Sequence, residues 1–178
     1  MSIGDCRLAI EKRLTGEPLE LDVLVEASAD PRSGALVVFG GTVRNHHEGR
    51  GVTHLAYSAY APLGEKLIHA IERETLAKFK VHHCRVVHRT GSLGIGEVAI
   101  YAVVRAAHRR EAFAAAQYAV DRVKHEVPVW KEEFYADGSS DFVQGCCIAQ
   151  EHHPVGAALA ATVAPEGAPT TRDTREAA

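Results

Sequence analysis

The four cysteines, Cys6, Cys84, Cys146 and Cys147, form no CxxC pair, and two of them are adjacent. Adjacent cysteines are poorly placed to bridge one another, so the spacing predicts reduced structural thiols rather than a disulfide framework. No run of about 18 apolar residues occurs, and no membrane span or membrane partner is expected. The opening stretch MSIGDCRLAIEKR is charged throughout and lacks the apolar core of a signal peptide, so a cytoplasmic protein is expected. Positive charge is not in excess. A formal net charge of -3 argues against a general nucleic-acid binder, which would show a basic balance. Several motifs are also missing: no HxxxH, no zinc-type Cys/His spacing, no serine elbow and no GxxxxGK[ST] loop. No metal, no cofactor and no internal repeat is expected.

What remains is an ordinary globular composition, 46% hydrophobic and 24% charged over 178 residues, enough for one domain with a sizeable core. The body runs over about 1–150. Residues 151–178, ending in HHPVGAALAATVAPEGAPTTRDTREAA, are rich in Ala, Pro, Gly and Thr, and their aliphatic patches are too small to offset the entropy of ordering. A disordered tail is expected there.

Within the body, Gly34–Phe39 (GALVVF) reads as a buried strand, followed by an exposed loop through GGTVRNHHEGRG. VTHLAYSAY fits a second strand. A helix begins near Pro62, with Leu63, Leu67, Ile68, Ile71, Leu76 and Phe79 on one apolar face. VHHCRVVHR fits a strand, TGSLGIGE a turn-rich connection, and Val98–Arg105 (VAIYAVVR) a central strand. The next helix starts near His108 and ends before Pro128, with Phe113, Ala116, Val120, Val123 and Val127 as its apolar stripe. The element order predicts an α+β fold, a mostly antiparallel sheet packed with two main helices.

Eleven histidines include the adjacent pairs His46–His47, His82–His83 and His152–His153, but neighbours on a strand point to opposite faces. The cations carry more information. Arg44 follows a buried strand at the mouth of a loop, and His108 and Arg109 open a helix, where free backbone N–H groups favour an anion. In VKHEVPVWKEEF, Pro128 would clash with the carbonyl of residue 124 if the helix continued. Lys124 therefore closes one element and Lys131 belongs to the next. Side chains at the ends of separate elements can converge, although any one of them alone is more often a solvated surface charge.

GTVRNHHEGRGV, LAYSAY, VVHRTGSLGIGE, AAHRREAF and KHEVPVWKEEFY occur in the same order as in the large, catalytic subunit of molybdopterin synthase. The chain resembles that family over roughly residues 20–140. The resemblance implies an α/β hammerhead-like fold and a specific reaction. Cyclic pyranopterin monophosphate is converted to molybdopterin by insertion of two sulfurs as a dithiolene. The sulfur arrives as a thiocarboxylate on the Gly-Gly terminus of a small ubiquitin-like sulfur-carrier subunit. The implied assembly is a homodimer of this chain with one small subunit at each end, a two-plus-two heterotetramer. The positions matching the family's substrate site are Thr42, Val43, Arg44, His108, Arg109, Lys124, Lys131, Glu132 and Glu133, with Lys124 and Lys131 as the catalytic pair.

That chemistry suits a cation set. A phosphate and a thiocarboxylate meeting in a desolvated pocket repel unless fixed positive charges are in place. One lysine can steer the incoming anion while the other moves protons; which does which is open. Two other readings fit parts of the sequence: a silent relative that only docks a ubiquitin-like partner, and a histidine-rich metal binder.

Overall fold

A computed structural model describes residues 12–143. The expected tail over 151–178, together with Cys6, Cys146, Cys147 and the pair His152–His153, lies outside the described residues. In chain order the elements are β1 (Leu14–Thr15), α1 (Leu21–Ala27), β2 (Ala35–Thr42), β3 (His46–His47), β4 (Arg50–Ala59) and α2 (Ala61–Phe79). They continue with β5 (His83–Arg89), β6 (Gly91–Gly94), β7 (Val98–Ala106), α3 (Arg109–Glu126), β8 (Val129–Tyr135) and β9 (Ser140–Val143). The fold is α+β, as the sequence predicts.

The strands form two sheets rather than one. The first has the order β1-β5-β7-β2, antiparallel except for the β1–β5 pair. The second has the order β3-β4-β8-β9, with β6 also pairing β4. The separation arises after β2. Its ladder with β7 shifts register between Gly41 and Thr42, and a tight turn at Glu48 and Gly49, both at positive φ, sends the chain back along β4. β4 then pairs with β8 instead of with β2.

β7 is central and nearly continuous in burial, as its unbroken apolar run implies. On one face of the first sheet α2 and α3 enclose the main core, including Ile68, Ile71, Val86, Ala102, Val104 and Val120. On the other face Leu24 of α1 packs against Val87 and Val103. A smaller cluster of Val43, Val52, Leu55, Leu93, Ala99 and Tyr135 fills the space beside the second sheet.

The helix faces are rotated slightly from the predicted ones. Phe113 is 63% exposed and Leu63 is 42% exposed. The buried stripe of α3 is instead Ala112, Ala115, Ala116, Ala119, Val120 and Val123. Small side chains let this helix lie close on the sheet, so alanines, not the phenylalanine, take the inward positions. The connection TGSLGIGE also holds a strand, β6, whose Leu93 is fully buried.

The short β1 is fastened by α2. Glu65 accepts the backbone N–H groups of Arg13 and Leu14 at 2.9–3.0 Å. Two turns on, Glu72 receives the Arg13 guanidinium at 2.8 Å and the Val86 N–H at 2.9 Å. Carboxylates seven residues apart on one helix share a face, which is why both reach the same strand edge.

Candidate active site

α3 ends where the sequence says it must. Val127, ahead of Pro128, is extended at φ -82° and ψ 129°, the conformation that proline imposes on its predecessor. The chain then turns straight into β8, which pairs with β4 so that Lys131 lies opposite Tyr57 and Glu133 opposite Leu55. Strand alternation puts Lys131, Glu133 and Tyr135 on the inner face and Glu132 on the other. At the far wall, Gly41 packs so tightly on Ile100 that an added Cβ would lie 2.6 Å from its Cγ2. The bulge there brings Thr42 and Arg44 round to the same opening.

These elements enclose a cavity of about 290 Å³ between the two sheets and the C-terminal end of α3. Thr42, Arg44, Lys124, Lys131 and Glu133 line it, along with His46, Tyr57, His88 and apolar residues including Val123 and Ile100. Lys124 comes from the last turn of α3 and Lys131 from β8, so the proline break does bring two ammonium groups from different elements to one cavity.

Four sequence-assigned positions are not in this cavity. Val43 is buried in the small cluster, and Glu132 faces away, accepting a hydrogen bond from the Ser140 hydroxyl at 2.8 Å. His108 and Arg109 lie at the opposite end of α3 from Lys124, about 22 Å along the helix at 1.5 Å per residue.

The site is polarised. Lys131 Nζ donates to Glu133 Oε1 at 2.8 Å, and its side chain is only 13% exposed. Lys131 therefore sits within the cavity wall rather than at the rim, whereas Lys124 is exposed. The other carboxylate oxygen of Glu133 is held by the Tyr135 hydroxyl at 3.1 Å and by His47 Nδ1 at 2.9 Å. Burial alone would raise the Glu133 carboxyl. The hydrogen bond and charge of Lys131, with Tyr135 and His47, outweigh it and hold the group below the usual carboxylate range. Among the described residues no carboxylate pairs with Arg44 or Lys124; Lys124 Nζ lies 5.8 Å from the Phe39 ring centroid. Three cations thus face a cavity whose one acid is fully engaged.

The histidines are taken up singly. His46 Nδ1 meets Asn45 at 2.8 Å, His47 meets Glu133, and His82 meets the Ser33 hydroxyl at 2.8 Å. Among the described residues no three His, Cys, Asp or Glu groups are placed to share a metal ion. Cys84 is buried in the main core, and burial pushes its thiol up to about 12.

Two cavity residues escaped the sequence reading, Tyr57 and His88. Burial, with the Glu133 charge added, raises the Tyr57 hydroxyl to about 12. His88 was visible in principle: it follows Cys84 and Val86 at every second position of β5, the spacing of one buried face. Burial lowers its imidazole to about 4, opposed by the Arg89 carbonyl and assisted by the Lys124 charge. The unfolded chain takes up this proton near 6.5, so between the two values it binds more protons than the folded chain. The contribution, about 3 kcal/mol at most, is full above pH 6.5 and is lost as pH falls through 4. Acid unfolding of His88→Asn should show a shallower loss of stability over that window than the wild type, and equal slopes would contradict the assignment.

The structure is thus a two-sheet α+β fold with a cation-lined cavity at a strand–helix junction. The family model described as MoaE protein matches residues 14–126. The molybdopterin synthase catalytic subunit of Nostoc sp. is 37% identical over 136 residues, covering 75% of this chain and 82% of that protein. Molybdopterin synthase catalytic subunit 1 of Mycobacterium tuberculosis is 40% identical over 127 residues, covering 71% and 86%. The crystal structure of molybdopterin synthase from Staphylococcus aureus superposes with a TM-score of 0.71 at 34% identity, covering 75% of this chain and 96% of that one. This chain belongs to the MoaE family.

Proposed function

We propose that this chain is the catalytic subunit of a molybdopterin synthase, a sulfurtransferase that converts cyclic pyranopterin monophosphate to molybdopterin. The observation that carries the reading is the convergence of Arg44, Lys124 and Lys131 on one cavity, the first two without a carboxylate partner among the described residues. Two unit anions 4 Å apart repel by roughly 4 kcal/mol at the effective dielectric of a protein surface. Cations fixed beforehand remove that barrier without reorganisation at the moment of reaction. Arg44 and Lys124 are the free charges for the substrate phosphate and the incoming thiocarboxylate. Lys131, braced by Glu133, is the ammonium whose position is fixed most firmly.

The sulfur donor is a small ubiquitin-like carrier whose Gly-Gly terminus enters the cavity as a thiocarboxylate. Relatives named as catalytic subunits are, by that name, parts of a larger assembly. The proposed compartment is the cytoplasm, which suits the unspaced cysteines; no helix among the described residues is long and apolar enough to cross a membrane. Incubating the chain with thiocarboxylated carrier and cyclic pyranopterin monophosphate should yield molybdopterin. Absence of product from well-folded protein would refute the reading.

His108 and Arg109 fit this function only if a second copy supplies them, because within one chain they are too far from Lys124. A homodimer accomplishes that. Mixing a His108→Ala/Arg109→Ala chain with a Lys131→Ala chain should then restore product formation to a sizeable fraction of wild type, since hybrid dimers contain one complete site. Mixtures no more active than the two separate variants would contradict shared sites.

A further inference from the structure

The cavity holds a ring for which the cation chemistry has no use. His88 is 8% exposed, and Nδ1 lies 2.8 Å from the Arg89 carbonyl oxygen. A carbonyl can only accept, so Nδ1 carries the proton and Nε2 keeps its lone pair. The Tyr57 ring meets the imidazole edge-on, centroids 4.9 Å apart, and fixes its plane. Nε2 has no hydrogen-bond partner among the described residues, and it is not among the side-chain atoms sealed in without one; the residue lines the cavity. His83 Nε2 on the same strand is, by contrast, sealed in without a partner.

Most of the charged groups around this nitrogen are donors. Arg44, Lys124 and Lys131 can only donate, and each oxygen of Glu133 already has a protein donor; Thr42, His46 and Tyr57 are the other polar side chains of the lining. Burial, assisted by the Lys124 charge, holds the imidazole well below its ordinary value. A buried neutral acceptor repels a phosphate or thiocarboxylate oxygen and welcomes an N–H or O–H. We propose that His88 Nε2 is a specificity contact, accepting a hydrogen bond from an N–H or O–H on the uncharged heterocyclic end of the substrate while the cations hold the anionic end. The inference rests on the functional reading above and deepens it: the cavity then has two chemically unlike poles and fixes the direction in which a nitrogen heterocycle bearing a phosphate lies.

Calorimetric titration of the full chain with cyclic pyranopterin monophosphate, and separately with inorganic phosphate, tests this in wild type, His88→Asn and His88→Gln. The asparagine amide reaches the place of Nδ1 and keeps the Arg89 contact but withdraws the acceptor from the cavity. The glutamine amide can return an oxygen to the place of Nε2. His88→Asn should weaken the pterin by about tenfold or more, as expected when a bound donor is left unpaired. His88→Gln should stay within about threefold, and phosphate affinity should be similar in all three. Unchanged pterin affinity in His88→Asn, with wild type binding normally, would overturn the role of His88 alone. Equal losses for pterin and phosphate would overturn it too, by showing a merely structural effect. A wild type that binds no pterin would overturn the functional reading and this inference together. Independently of any substrate, the ¹⁵N shifts of His88 at neutral pH should show a protonated Nδ1 and a bare Nε2; the opposite tautomer would overturn the proposal.

Discussion

Lys131→Ala is expected to lower molybdopterin formation by about a hundredfold, and Lys124→Ala by at least about tenfold, the range for losing an anion-stabilising or proton-transferring group. The two losses differ in origin. Lys124 is an exposed charge at the end of α3, so its removal subtracts a cation and little packing. Lys131 is largely enclosed and bonded to Glu133, a residue 3% exposed. Its loss leaves a buried carboxylate with only Tyr135 and His47 for support, so part of the effect will appear as lower stability. Turnover should therefore be normalised to folded protein by a melting curve. Lys131→Arg should rescue poorly: the guanidinium keeps the charge but is larger, planar and does not give up its proton. Initial rates with thiocarboxylated carrier in excess measure all three variants. Near-normal turnover by both alanine variants would remove the cation pair from the mechanism.

The largest expected effect on stability lies elsewhere. Glu72→Ala should destabilise the protein by about 3–5 kcal/mol, the range for removing one partner of a buried ion pair. The Glu72 carboxylate binds the Arg13 guanidinium through two nitrogens, at 2.8 Å and 2.9 Å, and the same group accepts the Val86 N–H. Both Arg13 and Glu72 are under a tenth exposed. Truncation removes a buried ion pair and the acceptor of a buried strand N–H at once, and loosens β1 from β5. Glu65, which caps the backbone of Arg13 and Leu14 from the same helix, is half-buried and its loss should cost less. Urea unfolding followed by far-ultraviolet dichroism separates the two. A Glu72→Ala midpoint within error of wild type would mean that β1 is not fastened in this way.

Much of the architecture was readable because its signals are local. Pro128 has to end α3, and the apolar run at Val98–Arg105 has to be central; both hold in the structure. The division into two sheets was not readable. It depends on whether β4 pairs β2 or β8, and that choice is made by a bulge at Gly41 and a positive-φ turn at Glu48, neither of which changes the hydrophobic pattern. The two-residue strands β1 and β3 are too short to show a period at all. Phe113 was misplaced for another reason: its hydrophobicity outweighs that of Ala112, but close packing on the sheet favours the smaller residue.

Within the site, Arg44, Lys124 and Lys131 were legible because cations at element ends are conspicuous, whereas Thr42 and Glu133 came from the family resemblance; all five line one cavity. Strand alternation could have excluded Glu132 beforehand, since it must face away from Lys131 and Glu133. His88 and Tyr57 were hidden by their neighbours: a single histidine inside VHHCRVVHR looks like the rest of a histidine-rich strand until burial separates the inward positions. His108 and Arg109 illustrate a limit of another kind: if a second copy supplies them, as proposed, the shared site leaves no trace in the spacing of one chain.

The central claim is that sulfur passes from the carrier to the pterin among fixed cations, with no sulfur donated by this chain. A single turnover with carrier bearing a ³⁴S thiocarboxylate and unlabelled enzyme tests it directly, by mass analysis of the dithiolene product. Cys84 is buried, its thiol is pushed up to about 12, and it belongs to the main core rather than to the cavity lining. On the proposed mechanism, in which the carrier supplies both sulfurs, both sulfurs of the product should be ³⁴S. A product containing ³²S would contradict the account and show that sulfur is drawn from the enzyme itself.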